Sequence, residues 1–194
     1  MAESALHDLT PTDPRWVEVV TADFDTFLSD HASAEKKASG MALNVAAHYP
    51  DRPQLLSAMV DLAVEELAHY KEVIRLMLTR GVQPLPDTKD RYVAQLNSLI
   101  RRGTELFLLD RLLVAAVIER RGAERFSLLA RALDDSETGT FYRAIASSEE
   151  RHWQLFIELA HQECANHDIT TRFNELLEQE GNIVRQLALA PRLH

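Results

Sequence analysis

Helix-breaking residues place the first constraint on this chain. The 7 prolines cluster at Pro11/Pro14, Pro50/Pro53, Pro84/Pro86 and Pro191, and there are only 6 glycines, so long intervals run without interruption. Within those intervals apolar side chains recur at helical spacing, and the strict alternation of a half-buried strand is absent. Asp13 followed by Pro14 predicts a helix start, with Val20, Phe24, Leu28, Ala38, Ala42 and Ala46 on one face as far as about His48. A second helix is predicted from near Pro53 to Arg80, ending at Gly81. After the segment 82–90, helical pattern resumes at Arg91, dips at Gly103 and continues from Thr104 to about Arg121, with Gly122 before a further turn or two to Leu133. Asp134, Asp135 and Ser136 are suitable caps for a helix reaching about His167, and a last helix is expected over roughly 171–187. The predicted fold class is all-α: one domain over residues 1–194, an antiparallel four-helix bundle with additional helices.

Charge and cysteine content narrow the setting. Thirty acids against 21 Lys and Arg give a net charge of -9, which argues against a protein that coats nucleic acid nonspecifically but leaves room for a local basic patch. A single cysteine, Cys164, excludes an internal disulfide and a Cys-based zinc or iron-sulfur site, and it suits a reducing compartment such as the cytoplasm. The stretch 1–13 carries acids where a signal peptide needs basic residues and an apolar run, and no apolar run approaches the roughly 20 residues of a membrane span. A soluble cytoplasmic protein is expected.

Where the acids fall is more informative than their number. Glu-x-x-His occurs as Glu66/His69, Glu149/His152 and Glu158/His161, and with 17 Glu and 8 His about one such pair is expected by chance. Helical phase separates them. At 100° per residue, Glu149 and His152 share a face with Tyr142, Ile145, Phe156 and Ala160, and Glu66 and His69 share one with Leu55, Met59, Leu62, Val73 and Met77. Glu158 and His161 lie among Arg143, Ser147, Arg151 and Gln154, a solvated surface. Two further acids interrupt apolar stripes: Glu35 among Phe24, Leu28 and Ala42, and Glu119 among Leu108, Leu112, Ala115 and Phe126. Glu35 precedes Glu66 by 31 residues and Glu119 precedes Glu149 by 30, so the pattern is a duplicated half-site.

Four carboxylates inside a bundle repel one another and cost several kcal/mol apiece in desolvation unless positive charge sits among them. Two divalent cations supply it, and would bring the net charge from -9 to about -5. Two lone Glu plus two Glu-x-x-His pairs form the ligand set with which ferritin-like bundles hold two iron or manganese ions. Oxygen-rich coordination with one imidazole per ion and no thiolate suits those metals better than structural zinc. The predicted ligands are Glu35, Glu66, His69, Glu119, Glu149 and His152.

The stretch Leu106-Phe-Leu-Leu-Asp-Arg-Leu-Leu-Val-Ala-Ala-Val-Ile-Glu119, its continuation to Glu124-Arg125-Phe126, and the segments Glu65-Glu66-Leu67-Ala68-His69 and Ser148-Glu149-Glu150-Arg151-His152 resemble the MiaE family of tRNA hydroxylases. The resemblance runs from about Leu9 to Leu187 and places the family's metal ligands on the same six residues. It implies a ferritin-like fold and a non-haem di-iron monooxygenase that hydroxylates the isopentenyl group of 2-methylthio-N6-isopentenyladenosine at position 37 of tRNA. Dioxygen would be the co-substrate and two electrons would come from an external donor protein, one oxygen atom entering an allylic C–H bond and the other leaving as water. No flavin or nicotinamide fingerprint occurs in the chain. Gly122-Ala123 departs from the Ser-Cys expected there, without removing a ligand. The alternative on this ligand set is another ferritin-like di-iron or di-manganese protein: a ferroxidase, a peroxidase or a catalase.

His31 and Tyr142 share the metal-facing sides of their helices and are candidates for orienting a ligand. Ala115 and Ala116, one turn before Glu119, leave room for oxygen or the prenyl group, or simply allow close helix packing. A tRNA substrate needs phosphate contacts. From Arg101 to Arg131 there are seven Arg against Glu105, Asp110, Glu119 and Glu124, and Lys36-Lys37 follow Glu35 as Arg120-Arg121 follow Glu119. Lys36, Lys37, Arg101, Arg102, Arg120 and Arg121 are the candidate RNA contacts.

Overall fold

The computed structural model describes residues 6–134 and 136–194, apart from the side chain of Glu105. Residues 1–5 and the cap candidate Asp135 lie outside the described residues, as does the side chain of Glu105 counted among the acids above. Seven helices and no strand occur among the described residues: α1 (Arg15–Ala22), α2 (Phe24–His48), α3 (Pro53–Thr79), α4 (Arg91–Ser98), α5 (Thr104–Leu133), α6 (Glu137–Glu163) and α7 (Ile169–Gln186).

Boundaries differ from the sequence reading in four places. The first predicted helix is broken at Asp23, which caps α2 by accepting a hydrogen bond from Thr26 N. Gly122 does not interrupt α5, whose hydrogen-bonded turns continue to Leu133. The helix expected to reach His167 stops at Glu163, where Cys164 leaves helical geometry. The last helix starts two residues early, because Asp168 caps it through Thr171 N.

The chain forms two compact helical units. One comprises residues 18–88 and 189–193, the other the described residues of 1–17 and 89–188 together with residue 194. In the first, a short connection after His48 returns the chain as α3, so α2 and α3 pack as an antiparallel hairpin. Phe27, Leu28, Ala42 and Val45 of α2 and Leu55, Met59, Val73 and Met77 of α3 are buried, each larger apolar side chain contributing roughly 1.5–3 kcal/mol. Ser39 Oγ donates to Ala63 O at 2.8 Å across the hairpin. The segment after α3 is strapped back onto α2: Ser29 Oγ accepts from Leu85 N at 2.6 Å, and Lys36 Nζ lies 2.7 Å from Asp87 Oδ2.

In the second unit α5 and α6 form the hairpin, with α4 and α7 packed against α5. Gly103, at φ 118°, occupies the left-handed region at the start of α5, and a Cβ on Gly139 would collide with the backbone of Asp134 at the α5–α6 turn. Two buried charge clusters lock this unit. Asp110 accepts from Arg101 N at 2.8 Å and pairs with Arg101 Nη2 at 2.7 Å and Arg172 Nη2 at 2.8 Å. Arg121 and Glu180 are wholly out of solvent: Glu180 accepts from Arg121 Nε at 2.7 Å, from Nη2 at 2.8 Å and from Tyr92 Oη at 3.0 Å. The remaining Arg121 donors reach Thr12 Oγ1, Glu124 Oε2 and Thr10 O, so one guanidinium joins α5, α7 and the N-terminal segment. Arg125, beside it, is pushed down to about 10 by burial and the neighbouring Arg121 charge, and lies 5.2 Å over the Trp16 ring.

Two predictions follow from these clusters. Glu180→Ala strands the buried Arg121 and should lower unfolding free energy by about 3–5 kcal/mol in urea denaturation, whereas Asp25→Ala, which breaks only the exposed pair with Arg80, should cost under about 1 kcal/mol. Burial raises the Asp110 carboxyl, but hydrogen bonds from Arg101 and Arg172 outweigh it and hold it at about 2 against an ordinary 3.8. Because the folded-state value is the lower one, this stabilisation is complete above the ordinary carboxylate value and is lost as pH falls through about 2. Asp110→Asn should therefore flatten the acid side of the stability profile, measured by circular dichroism between about pH 4 and pH 2.

Candidate metal centre

The first half-site lies on the α2–α3 hairpin. Glu35 interrupts the buried stripe of α2, and the i, i+3 spacing sets Glu66 and His69 side by side on α3. All three are buried, and each offers a ligand atom within 4.8 Å of the other two. His69 Nδ1 lies 3.6 Å from Glu35 Oε2 and 3.7 Å from Glu66 Oε2. His31, fully buried one turn before Glu35, places its Nε2 2.6 Å from Glu35 Oε1. Burial works against the Glu35 charge, yet the His31 hydrogen bond and the neighbouring His69 imidazole hold its carboxyl well below the usual range. Burial likewise opposes a proton on His69, and the Glu35 and Glu66 carboxylates overcome it, raising His69 to about 10.

The second half-site repeats the set on α5 and α6. Glu119, Glu149 and His152 are buried, with ligand atoms again within 4.8 Å of one another. His152 Nδ1 lies 4.0 Å from Glu119 Oε2 and 3.9 Å from Glu149 Oε1. Tyr142, two turns before Glu149, is fully buried and stacks on Phe126 at 5.6 Å between ring centroids. Gly122 borders this half-site: a Cβ there would stand 3.7 Å from Glu149 Oε2, an ordinary contact, so the serine expected from the family would bring a hydroxyl beside that carboxylate. Each half-site thus holds two carboxylates and one imidazole. This donor set fits a divalent cation that prefers oxygen ligands, since one imidazole leaves a surplus of negative charge in a buried place.

The third Glu-x-x-His pair, Glu158/His161, is exposed, as its helical phase requires. The basic candidates fare differently. Arg121 is a correction: it lies two residues past Glu119, which turns it away from the half-site, and it is buried on Glu180 where no phosphate can reach it. Arg120 is half-buried, 5.2 Å over the Trp153 ring and donating to His7 O at 2.8 Å. Lys36 and Lys37 hold Asp87 and Thr88 O, and Arg101 holds Asp110. Arg102 is exposed and makes no hydrogen bond or ion pair with any described residue. The Arg121–Glu180–Tyr92 cluster was not foreseen, although Glu180 interrupts the stripe of Phe173, Leu176, Leu177 and Ile183 just as Glu35 and Glu119 interrupt theirs.

Fold and half-sites together define an all-α protein of the ferritin-like class. A solved structure described as "Protein 43 with aldehyde deformylating oxygenase activity from Synechococcus" superposes with a TM-score of 0.89 at 35% identity, covering 95% of this chain and 93% of that one. The sequence profile of one family, MiaE, tRNA-(MS[2]IO[6]A)-hydroxylase, matches residues 3–194, and the chain belongs to that family. A tRNA 2-(methylsulfanyl)-N(6)-isopentenyladenosine(37) hydroxylase from Pseudomonas putida is 42% identical over 151 residues, 78% of this chain and 73% of the relative. One of the same name from Salmonella typhimurium is 37% identical over 131 residues, covering 68% of this chain and 48% of the relative.

The short His31–Glu35 contact generates a stability prediction. His31→Leu removes the hydrogen bond from a buried carboxylate and should lower unfolding free energy of the metal-free protein by about 1–3 kcal/mol, read from urea denaturation at neutral pH. A change within error would show that this bond does not support Glu35.

Proposed function

We propose that this chain hydroxylates the isopentenyl group of 2-methylthio-N6-isopentenyladenosine at position 37 of tRNA, with two iron ions as cofactor and dioxygen as co-substrate. The observation that carries the reading is the pair of equivalent buried half-sites, each with two carboxylates and one imidazole, in a chain that belongs to a tRNA hydroxylase family. In this reading residues 1–194 act as one domain with one dinuclear centre: Glu35, Glu66 and His69 hold one ion and Glu119, Glu149 and His152 the other. Two irons held by these residues would supply the capacity to activate dioxygen, and the two electrons the reaction needs would come from an external donor protein.

The chain's own residues do the positioning. His31 fixes the Glu35 carboxylate through its 2.6 Å contact and would so hold it in place for a bound ion. Tyr142, buried and packed on Phe126, lies on the same face of α6 as Glu149 and is the second candidate for orienting a ligand. Leu112, Ala115, Phe126 and Phe156 are buried on the same helices and exclude water from the reacting C–H bond. Ala115 and Ala116, both small and buried, lie one turn before Glu119 on α5. Among the described residues no helix is long and apolar enough to cross a membrane. A tRNA substrate supports a cytoplasmic setting for the reaction.

Anaerobic loading with ferrous iron should give two irons per chain by elemental analysis, and Glu66→Ala or Glu149→Ala should retain one or fewer. His31→Leu should keep both irons while slowing turnover. Reduced, iron-loaded protein given dioxygen and prenylated tRNA should add the mass of one oxygen atom to the target nucleoside, measured by mass spectrometry after digestion. Less than one iron per chain after loading, or an unmodified nucleoside, would sink the reading.

A further inference from the structure

Most of the basic side chains singled out from the sequence already hold a partner within the chain, which raises the question of which cations remain for a polyanion. A concave groove on the outer side of the α5–α6 hairpin supplies an answer. It is an open hollow of about 410 Å³ lined by Arg131 and Ser127 from α5 and by Arg143, Ser147 and Glu150 from α6. Ala130 and Ala146, both buried, form its floor, so the side chains around it stand above a shallow base of methyl groups. Arg131 makes no hydrogen bond or ion pair with any described residue, and Arg143 has only a 3.1 Å bond from Nη2 to Thr140 Oγ1. Both are exposed. Glu150 Oε1 is occupied by Gln154 Nε2 at 3.0 Å, which draws that carboxylate along its own helix.

We propose that this groove seats a backbone phosphate of the RNA substrate, with the Arg131 and Arg143 guanidiniums supplying charge and the Ser127 and Ser147 hydroxyls donating to phosphate oxygens. The chemistry favours a phosphodiester over an acidic protein surface. Two guanidiniums and two hydroxyls lining one concave groove suit a compact tetrahedral anion, whereas carboxylates spread over a protein face do not enter such a groove. Arg143 and Ser147 stand on the solvated face of α6, turned away from the buried Glu149, so the phosphate they would seat belongs to a part of the RNA other than the reacting nucleoside. The inference rests on the reading of the chain as a tRNA hydroxylase and deepens it by naming an RNA contact none of the six sequence candidates covers.

The test uses the full-length, iron-loaded protein and tRNA carrying the prenylated adenosine, with binding followed by fluorescence anisotropy across a salt series. Arg131→Gln/Arg143→Gln should raise Kd about tenfold and reduce the slope of log K against log salt by about 1, raising KM with kcat unchanged. Glu150→Gln should act in the opposite direction and tighten binding. A control with two other exposed cations removed, Lys71→Gln/Arg75→Gln on α3, should leave the affinity within about twofold. Equal losses in both double variants would overturn the groove, because net charge alone would then explain them. Unchanged RNA binding combined with a raised requirement for the electron-donor protein would also overturn it, in favour of protein docking. Hydroxylation by the wild-type protein is scored in the same samples, so a failed groove and a failed hydroxylase reading give separate results.

Discussion

A carboxylate placed in the apolar stripe of a helix is the constraint on which the rest of this structure depends. Its desolvation costs several kcal/mol, so each one must be met by a hydrogen bond, an opposite charge or an ion. Glu35 and Glu119 sit in such stripes, and in both units the chain answers with a Glu-x-x-His helix packed antiparallel to the first. The imidazole covers part of the deficit: His69 lies within 3.7 Å of both carboxylates of its hairpin, and His31 adds a 2.6 Å contact to Glu35. What is left over is negative charge in a dry place, the condition that a bound cation relieves.

The same accounting separates a structural cluster from a functional one within one helix. Arg121 and Glu119 are two residues apart on α5, and both are buried. Around Arg121 the guanidinium meets Glu180 and Glu124, each of its hydrogen-bonding nitrogens has an acceptor, and Tyr92 fills a further position on Glu180. That cluster is complete without a ligand and ties together α4, α5, α7 and the N-terminal segment. Glu119 faces a carboxylate and an imidazole, a set with surplus acceptors. Compensation within the chain marks a staple, and its absence marks a site.

Basic residues show why a charge count along a sequence overstates what is available to a polyanion. Lys36, Lys37, Arg101, Arg120 and Arg121 all bind internal acceptors, from the Asp87 side chain to the carbonyl of His7. Arg131, the last of the seven arginines between 101 and 131, and Arg143 are not among the six candidates, yet both line one groove with Ala130 and Ala146. A cation's value to a partner depends on what its neighbours leave it, and those neighbours come from segments distant along the chain.

Sequence alone determined the helical class, the four long helices and the phase of the acids on them, because helix propensity, proline placement and a period of 3.6 residues are local properties. The six Glu and His residues were legible for the same reason: polar groups interrupting an apolar stripe stand out against a strong periodic background. Helix ends were less legible. Asp23 breaks the first helix through a side-chain bond to Thr26 N, while Gly122 is absorbed into α5 because its neighbours on both sides maintain the turn. Only the tertiary structure decided that Arg121 is a buried staple held by Glu180, 59 residues away, that Gly122 lies against Glu149, and that Arg131 and Arg143 share one slot. Each of these pairings joins helices whose relative rotation is set by packing many side chains at once, which no local pattern in the sequence encodes.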